Sequence, residues 1–234
     1  MGLSIPGASP PTALRALGFL YLGCLPSTVQ SATAYSSLAG GNVAGSVVSA
    51  ALLNLLGVFV TAPLFSLLAG GGAAEFHADG LVKVVGILLV PFVLGQIAQQ
   101  WLGGWVRDHR PLVTWMDRSS IAIAVYVAFS GAVAQQFWTR IDLAGWFWLA
   151  GGTAVFLAIG HWGAWALGGL LRLDRPSRVT MLFAGAQKSI AMGAPLATVL
   201  FAPEAAGIVL LPILLYHLVQ LVLAAPIAAR LSPT

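Results

Sequence analysis

The chain has 234 residues, of which 59% are hydrophobic and 8% charged, with a formal net charge of +4 and a mean hydropathy of +0.91. A water-soluble domain keeps its apolar share nearer ~45–50%, so most of this surface must face lipid. The basic residues stand singly between apolar blocks, a pattern of membrane topology rather than of phosphate binding, and nucleic acid is not an expected partner.

A bilayer core takes about 20 apolar residues in a helix. The opening stretch MGLSIPGASPPTALR lacks a basic n-region, so residues 1–13 read as a tail and not as a cleavable signal. Leu14–Leu38 is the first candidate span and Val43–Leu68 the second. Residues 69–80 read as a loop outside the cytoplasm, and its EFHADG segment has too few ligands for a metal site. Leu81–Leu102, Ser119–Trp138, Leu143–Leu171, Val179–Phe201 and Ala205–Ala229 follow, which makes about seven transmembrane helices in an all-α, polytopic membrane protein. The lone cysteine, Cys24, excludes an internal disulfide and a cysteine-based metal cluster.

Orientation follows from the basic residues of the short loops. One side collects Arg107, Arg110, Arg118, Arg172, Arg175, Arg178 and Arg230, and the other only Arg15, Lys83 and Arg140. The richer side is cytoplasmic, which places the C-terminus inside and the N-terminus outside. Trp101, Trp105, Trp115, Trp138, Trp146 and Trp148 cluster near span ends as interfacial anchors, whereas Trp162 and Trp165 lie deeper and read as packing residues.

Two segments echo each other. Aligned without gaps, Asn42–Ala62 and Glu204–Ala224 share Ala44/Ala206, Gly45/Gly207, Val47/Val209, Leu52/Leu214, Leu53/Leu215, Leu56/Leu218, Val60/Val222 and Ala62/Ala224. Each copy follows a span rich in small and polar residues, LPSTVQSATAYSSLAGG before the first and AGAQKSIAMGAPLATVLFAP before the second. Pro26 and Pro195 each remove a backbone donor and are expected to loosen these helices. Interrupted backbone at membrane depth survives only inside protein or beside a wet cavity. Paired interrupted helices in opposed halves point to a substrate and ion site at the midplane.

LPSTVQSATAYSSLAGGNVAGSVVSAALLNLLGVFVTAPL together with GAQKSIAMGAPLATVLF resembles the bile acid:sodium symporter superfamily, in its SBF-like bacterial branch. The likeness runs from about Leu14 to Arg230. It implies a ten-helix transporter of two five-helix inverted repeats, with a panel subdomain and a core in which two discontinuous helices cross. On that template the seven spans match helices 4–10. Residues 14–68 would be the remainder of the first repeat and 81–230 the whole second repeat, with panel helices in 81–138 and core helices in 143–230. The three preceding helices are absent from this chain, so either a fragment or a short form is expected.

The family's sodium-dependent members carry a glutamate four residues before a glutamine in the second crossover helix. Here Gln187 matches the glutamine, Phe183 stands at the glutamate position and Lys188 follows. A family Ser-Asn pair falls near Ala32 and Thr33, with Gln30 and Ser31 as nearby substitutes. Of two hydroxyl ligands in the next helix, Ser46 is retained and the second position is Ala50. Sodium coupling does not carry over on these residues, and Na+ and H+ both remain candidates for the coupling ion.

Lys188 is ten residues from Arg178 and thirteen from Phe201, hence roughly 15 Å inside a ~30 Å hydrocarbon core. An ionised lysine there costs about 2.5–3.5 kcal/mol even on a lenient scale. Three functional readings stay open: the ammonium replaces a bound sodium ion, pairs with an anionic substrate, or exchanges a proton once per cycle. The plain alternative is a structural lysine bonded to helix carbonyls. The candidate substrate and ion contacts are Gln30, Ser31, Thr33, Ser46, Gln187, Lys188 and Ser189. Asn42 reads as a helix cap, and His161 and His217 are membrane-embedded without matched partners.

The expected function is a secondary active transporter that moves a small or amphipathic organic anion by alternating access in the plasma membrane. No enzymatic activity, cofactor or metal centre is expected. Two other classes remain: an accessory membrane protein of the same fold, and an intramembrane hydrolase built on Ser27 with His161 or His217. No Gly-x-Ser-x-Gly elbow supports the latter.

Overall fold

The computed structural model describes residues 10–69, 78–116, 119, 122–123, 126, 130 and 141–233. Secondary structure among them is helical, without strands. The elements are α1 (Pro10–Cys24), α2 (Gln30–Leu38), α3 (Val43–Leu68), α4 (Ala78–Asp108), α5 (Leu143–Leu170), α6 (Arg175–Ala186), α7 (Ile190–Leu200) and α8 (Pro203–Leu231). Most of the candidate span Ser119–Trp138, most of loop 69–80 and the first nine residues lie outside the described set. Among the described residues, α5 and Ala205–Leu231 of α8 are each long and apolar enough to cross a bilayer unbroken.

The burial pattern is that of a membrane protein. Ser27, Ser36, Ser46, Thr61, Thr153, Gln187 and Gln220 are buried, while Leu52, Leu67, Leu170, Leu218 and Val222 are exposed. Water would reverse this arrangement, whereas lipid requires it, because polar groups in hydrocarbon must find partners within the protein.

The first candidate span is two helices. Pro26 has no N–H and biases Leu25 away from helical backbone, so α1 stops at Cys24 and the chain restarts at Gln30. The second interrupted span divides between α6 and α7, but not at the proline that the sequence pointed to. Pro195 lies inside α7. The break is at Gln187–Ser189, where both flanking residues are extended. Ser189 is the cause: its hydroxyl accepts from Met192 N at 3.3 Å, and an N-cap serine starts a new helix where the old one would have continued.

Between the breaks, α3 keeps the span boundaries read from the sequence. Asn42 caps it, accepting from Gly45 N at 2.8 Å. The helix bends by 58° between Val43–Gly57 and Phe59–Leu68. Pro63 accounts for the position, since a proline ring clashes with the carbonyl four residues earlier, here that of Phe59. The bend receives the ring of Pro26: a Cβ on Gly57 would come within 2.8 Å of Pro26 Cγ. Helix α4 extends beyond the span Leu81–Leu102 at both ends.

Two clusters hold the bundle. The larger joins α1, α7 and α8 through Tyr21, Leu22, Leu196, Val209, Ile213 and Tyr216. Tyr21, Phe65 and Phe201 stack edge to face within it, with centroids 5.3–5.6 Å apart. The smaller joins α2, α6 and the end of α8 through Ala32, Val179, Phe183, Ala224 and Ala228. Trp165 packs as expected, with the Arg178 guanidinium 4.0 Å from its ring centroid. Trp162 does not: it is 75% exposed and faces outward from α5, an orientation that lipid permits and water would penalise.

Candidate functional site: two broken helices in contact

The two breaks touch. Ser189 N donates to Pro26 O at 3.0 Å, joining backbone to backbone across 163 residues of sequence. Ser31, in the first turn of α2, donates to Gln187 Oε1. Lys188 Nζ donates to Leu25 O at 2.8 Å and to Gly23 O at 3.1 Å. The lysine that sequence reasoning singled out therefore holds the open end of α1.

Why the first break tolerates membrane depth becomes clear carbonyl by carbonyl. Leu22 O accepts from Leu25 N at 3.3 Å. Gly23 O and Leu25 O accept from Lys188, and Cys24 O from the Thr61 hydroxyl at 3.1 Å. Pro26 O accepts from Ser189 N and Ser27 O from Asn54 Nδ2 at 2.8 Å. From Leu22 to Ser27 every carbonyl has a donor, as a stretch without helical bonds requires when no water can serve it. A cation at the C-terminal end of α1 also meets the negative end of the helix dipole.

The second break is held by α8. Gln220, 0% exposed, accepts from Lys188 N at 2.8 Å and donates to Lys188 O at 3.0 Å, so one side-chain amide satisfies both backbone groups of one residue. Its other N–H reaches His217 Nδ1 at 2.8 Å. The same Nδ1 lies 3.4 Å from Lys188 O. Tyr216 donates its hydroxyl to Ala186 O, the last carbonyl of α6.

Beside the contact lies a cavity of about 410 Å³, lined by Thr28, Val29, Gln30, Ser31, Asn54, Ser189, Ile190, Ala191, Met192, His217 and Leu221. These residues include the first turns of α2 and α7, so two helix N-termini border one space. The positive ends of two helix dipoles favour an anion there. No Asp or Glu occurs in residues 10–74 or 175–203, so Lys188 is not opposed by a carboxylate from its own or the facing segment.

Of the seven residues selected from sequence, Gln30, Ser31 and Ser189 line the cavity. Gln187 and Lys188 lie at the crossing beside it. Gln187 is buried, and its Nε2 has no partner. Thr33 and Ser46 pair with each other at 3.0 Å, joining α2 to α3 away from the cavity lining. Sequence reasoning missed Asn54 and Gln220, and it left His217 unpartnered. A lone amide in a leucine-rich helix was the available signal for both.

The positions the resemblance supplied for sodium are divided: Gln187 lies at the crossing against Ser31, and Thr33 pairs with Ser46. Phe183 is fully buried in the α2–α6 cluster, and the stripped carbonyls of the first break are taken by an amine. Among the described residues no group of three His, Cys, Asp or Glu could hold a metal ion. Neither histidine named for a hydrolase contacts Ser27: His161 Nδ1 bonds Leu157 O, and Ser27 Oγ reaches Thr28 O.

An all-helical membrane bundle whose two interrupted helices meet around a polar cavity defines the class: the architecture of a membrane carrier site. The chain belongs to the SBF-like CPA transporter family, which it matches over residues 3–233. It is 40% identical over 233 residues to the Pseudomonas aeruginosa protein named Uncharacterized protein PA2026, covering 98% of this chain and 70% of that one. It is 37% identical over 213 residues to the Putative symporter YfeH of Escherichia coli, covering 91% of this chain and 64% of that one. Rat Sodium/bile acid cotransporter 7 is 24% identical over 214 residues, with 88% of this chain and 61% of the relative covered. The likeness to the bile acid:sodium symporter superfamily, first carried by the two polar spans, therefore holds across the chain.

Proposed function

We propose that the protein is a secondary transporter that carries a small or amphipathic organic anion through the cavity at the crossing. The observation that carries this reading is the pair of helix N-termini on one 410 Å³ space, with an amine beside it and no acidic residue in either interrupted segment. Such a volume lies within the usual range for small-molecule sites. Half-helix N-termini aimed at anionic groups and unwound carbonyls aimed at cations are the recurring parts of transporter sites.

Lys188 takes the cation's part. Its ammonium meets the unwound carbonyls that would otherwise coordinate a coupling ion, so transport proceeds without sodium. The names of several relatives include sodium, and sodium dependence is the competing outcome. Gln30, Ser31, Gln187 and Ser189 provide polar contacts, and Thr33 and Ser46 fasten the helices behind them.

Two inverted repeats, with the seven spans as helices 4–10 of a ten-helix plan, give the frame for alternating access in the plasma membrane. Support comes from the echo. Its register pairs Asn54 with Tyr216, and each donates to a carbonyl of the broken helix preceding it, Ser27 O and Ala186 O.

The test is uptake by the full-length protein in proteoliposomes, with labelled taurocholate and short-chain carboxylates, in sodium and in choline media. The expected result is uptake of at least one anion in both media and at least a roughly tenfold fall for Lys188→Met, as loss of a charge-assisted contact predicts. Uptake that needs sodium and survives Lys188→Met would overturn the role of the amine. No uptake of any anion would overturn carriage itself.

A further inference from the structure

We propose that His217 binds the proton that accompanies each anion through the crossing, which makes the protein a proton–anion symporter; this rests on the carrier function proposed above. His217 is partly buried on α8 and lines the cavity of about 410 Å³. Among the described residues of that lining it is the one titratable side chain.

Its Nδ1 has two neighbours with opposite requirements. Gln220 Nε2, at 2.8 Å, can only donate, and Lys188 O, at 3.4 Å, can only accept. The Gln220 amide cannot turn over to relieve this, because its Oε1 accepts from Lys188 N while its Nε2 donates to Lys188 O. A neutral imidazole can meet Gln220 with a lone pair on Nδ1. An imidazolium carries hydrogen on both nitrogens and can meet only the carbonyl, or an acceptor in the cavity. Gaining a proton therefore breaks the bond to Gln220. The proton thus acts on the side chain that holds the interruption between α6 and α7.

The charges around His217 decide what must travel with the proton. Helices α3 and α7 carry no titratable residue. Tyr21 and Tyr35 spend their hydroxyls on Gly193 O and Leu221 O, and Cys24 is a buried thiol. His161 of α5 lines a separate groove with Leu215 and Val219. The arginines of α1, α6 and α8 lie toward helix ends away from the crossing. Lys188 brings an ammonium, held on Gly23 O and Leu25 O. The acid of α8, Glu204, is thirteen residues before His217, about 20 Å along the helix. A protonated His217 therefore adds a second positive charge near Lys188 with no carboxylate to balance it, which is costly at membrane depth. An anion in the cavity supplies the counter-charge, so proton and anion each bind more tightly when the other is present. His217 takes its proton from the water on the side where the anion enters and returns it to the water where the anion leaves.

The test uses the full-length protein in proteoliposomes with labelled taurocholate and isethionate, sulfonates that stay ionised and do not leak as neutral acids. The membrane potential is held at zero with potassium and valinomycin. Outside is set to about pH 6 and inside to about pH 7, within the range where histidine changes charge. At least one sulfonate is expected to accumulate inside, up to about the tenfold limit of one-to-one coupling, and trapped pyranine should report acidification as it enters. Exchange of labelled for unlabelled sulfonate at equal pH reads carriage apart from coupling. Exchange without accumulation would overturn the proton's part alone, and no exchange of either sulfonate would count against carriage and the symport together. His217→Gln keeps a partner for Gln220 but takes no proton, so accumulation should vanish whatever rate of exchange remains. Should that variant fail to fold or to exchange, a chain keeping His217 alone of its four histidines carries the test and must still accumulate the anion. Accumulation in His217→Gln, or its loss from the chain with His217 alone, would overturn the assignment.

Discussion

Gln220 shows how much one side chain can determine at membrane depth. Its amide closes both backbone bonds of Lys188 and supports His217. Replacing it with leucine keeps the bulk and strands an N–H and a C=O in a dry interior, each at about 1–3 kcal/mol. Gln220→Leu should therefore lower the thermal midpoint in detergent, measured by intrinsic fluorescence, and should do so more than Ser49→Ala, whose hydroxyl only bonds back to Ser46 O within α3. Gln220→Glu, which keeps the acceptor for Lys188 N and loses the donor to Lys188 O, should fall between them. The sequence made Lys188 conspicuous because a charge in an apolar run violates a composition rule. Gln220 is an uncharged lone amide, a weaker signal, and its partner is 32 residues away in the chain, so the packed structure is what reveals its task. The same holds for Asn54, whose amide reaches Ser27 O and Ala50 O.

At the scale of elements, one close approach that decides packing is between α1 and α8. A Cβ on Gly18 would lie 2.7 Å from Val209 O and 2.9 Å from Pro212 Cγ. The first neighbour is backbone and cannot step aside, so a methyl group there must push the helices apart. Gly18→Ala should cost about 1–3 kcal/mol, typical of overpacking, and appear as a lower melting temperature. Gly163 gives the control: nothing lies within 4 Å of its added Cβ. Gly163→Ala should be neutral or stabilise by about 0.5–1 kcal/mol through helix propensity. An equal loss from both would remove the packing argument.

Helix α3 was legible to its end residues because Asn42 caps it and the apolar run stops with the helix. The first break was legible because proline is an unambiguous punctuation mark. The second was not, since Pro195 looks like a breaker while Ser189 looks like any small polar residue. A serine's choice between capping a new helix and riding inside an old one is settled by what it meets, here Met192 N on one side and Pro26 O on the other.

For the whole molecule, the excess of arginine on one set of loops predicts an orientation. In a Cys24→Ala background, which removes the lone thiol, Leu143→Cys at the exposed start of α5 should react with a membrane-impermeant maleimide in intact cells. Ser232→Cys, past the end of α8, should react only after the cells are opened. The reverse pattern would invert the topology, and equal labelling of both would contradict an odd number of crossings between them. The expectation rests on the loop charges, which are a property of the whole chain and not of any one helix.

The crossing itself has a mechanical consequence. Pro26 O to Ser189, Ser31 to Gln187, and Lys188 to both Gly23 and Leu25 sew the two interruptions together. Pulling them apart would rupture four such links at once. The junction must therefore travel as one block, like a single piston head. On the function proposed above, alternating access would be a displacement of the surrounding walls relative to that block.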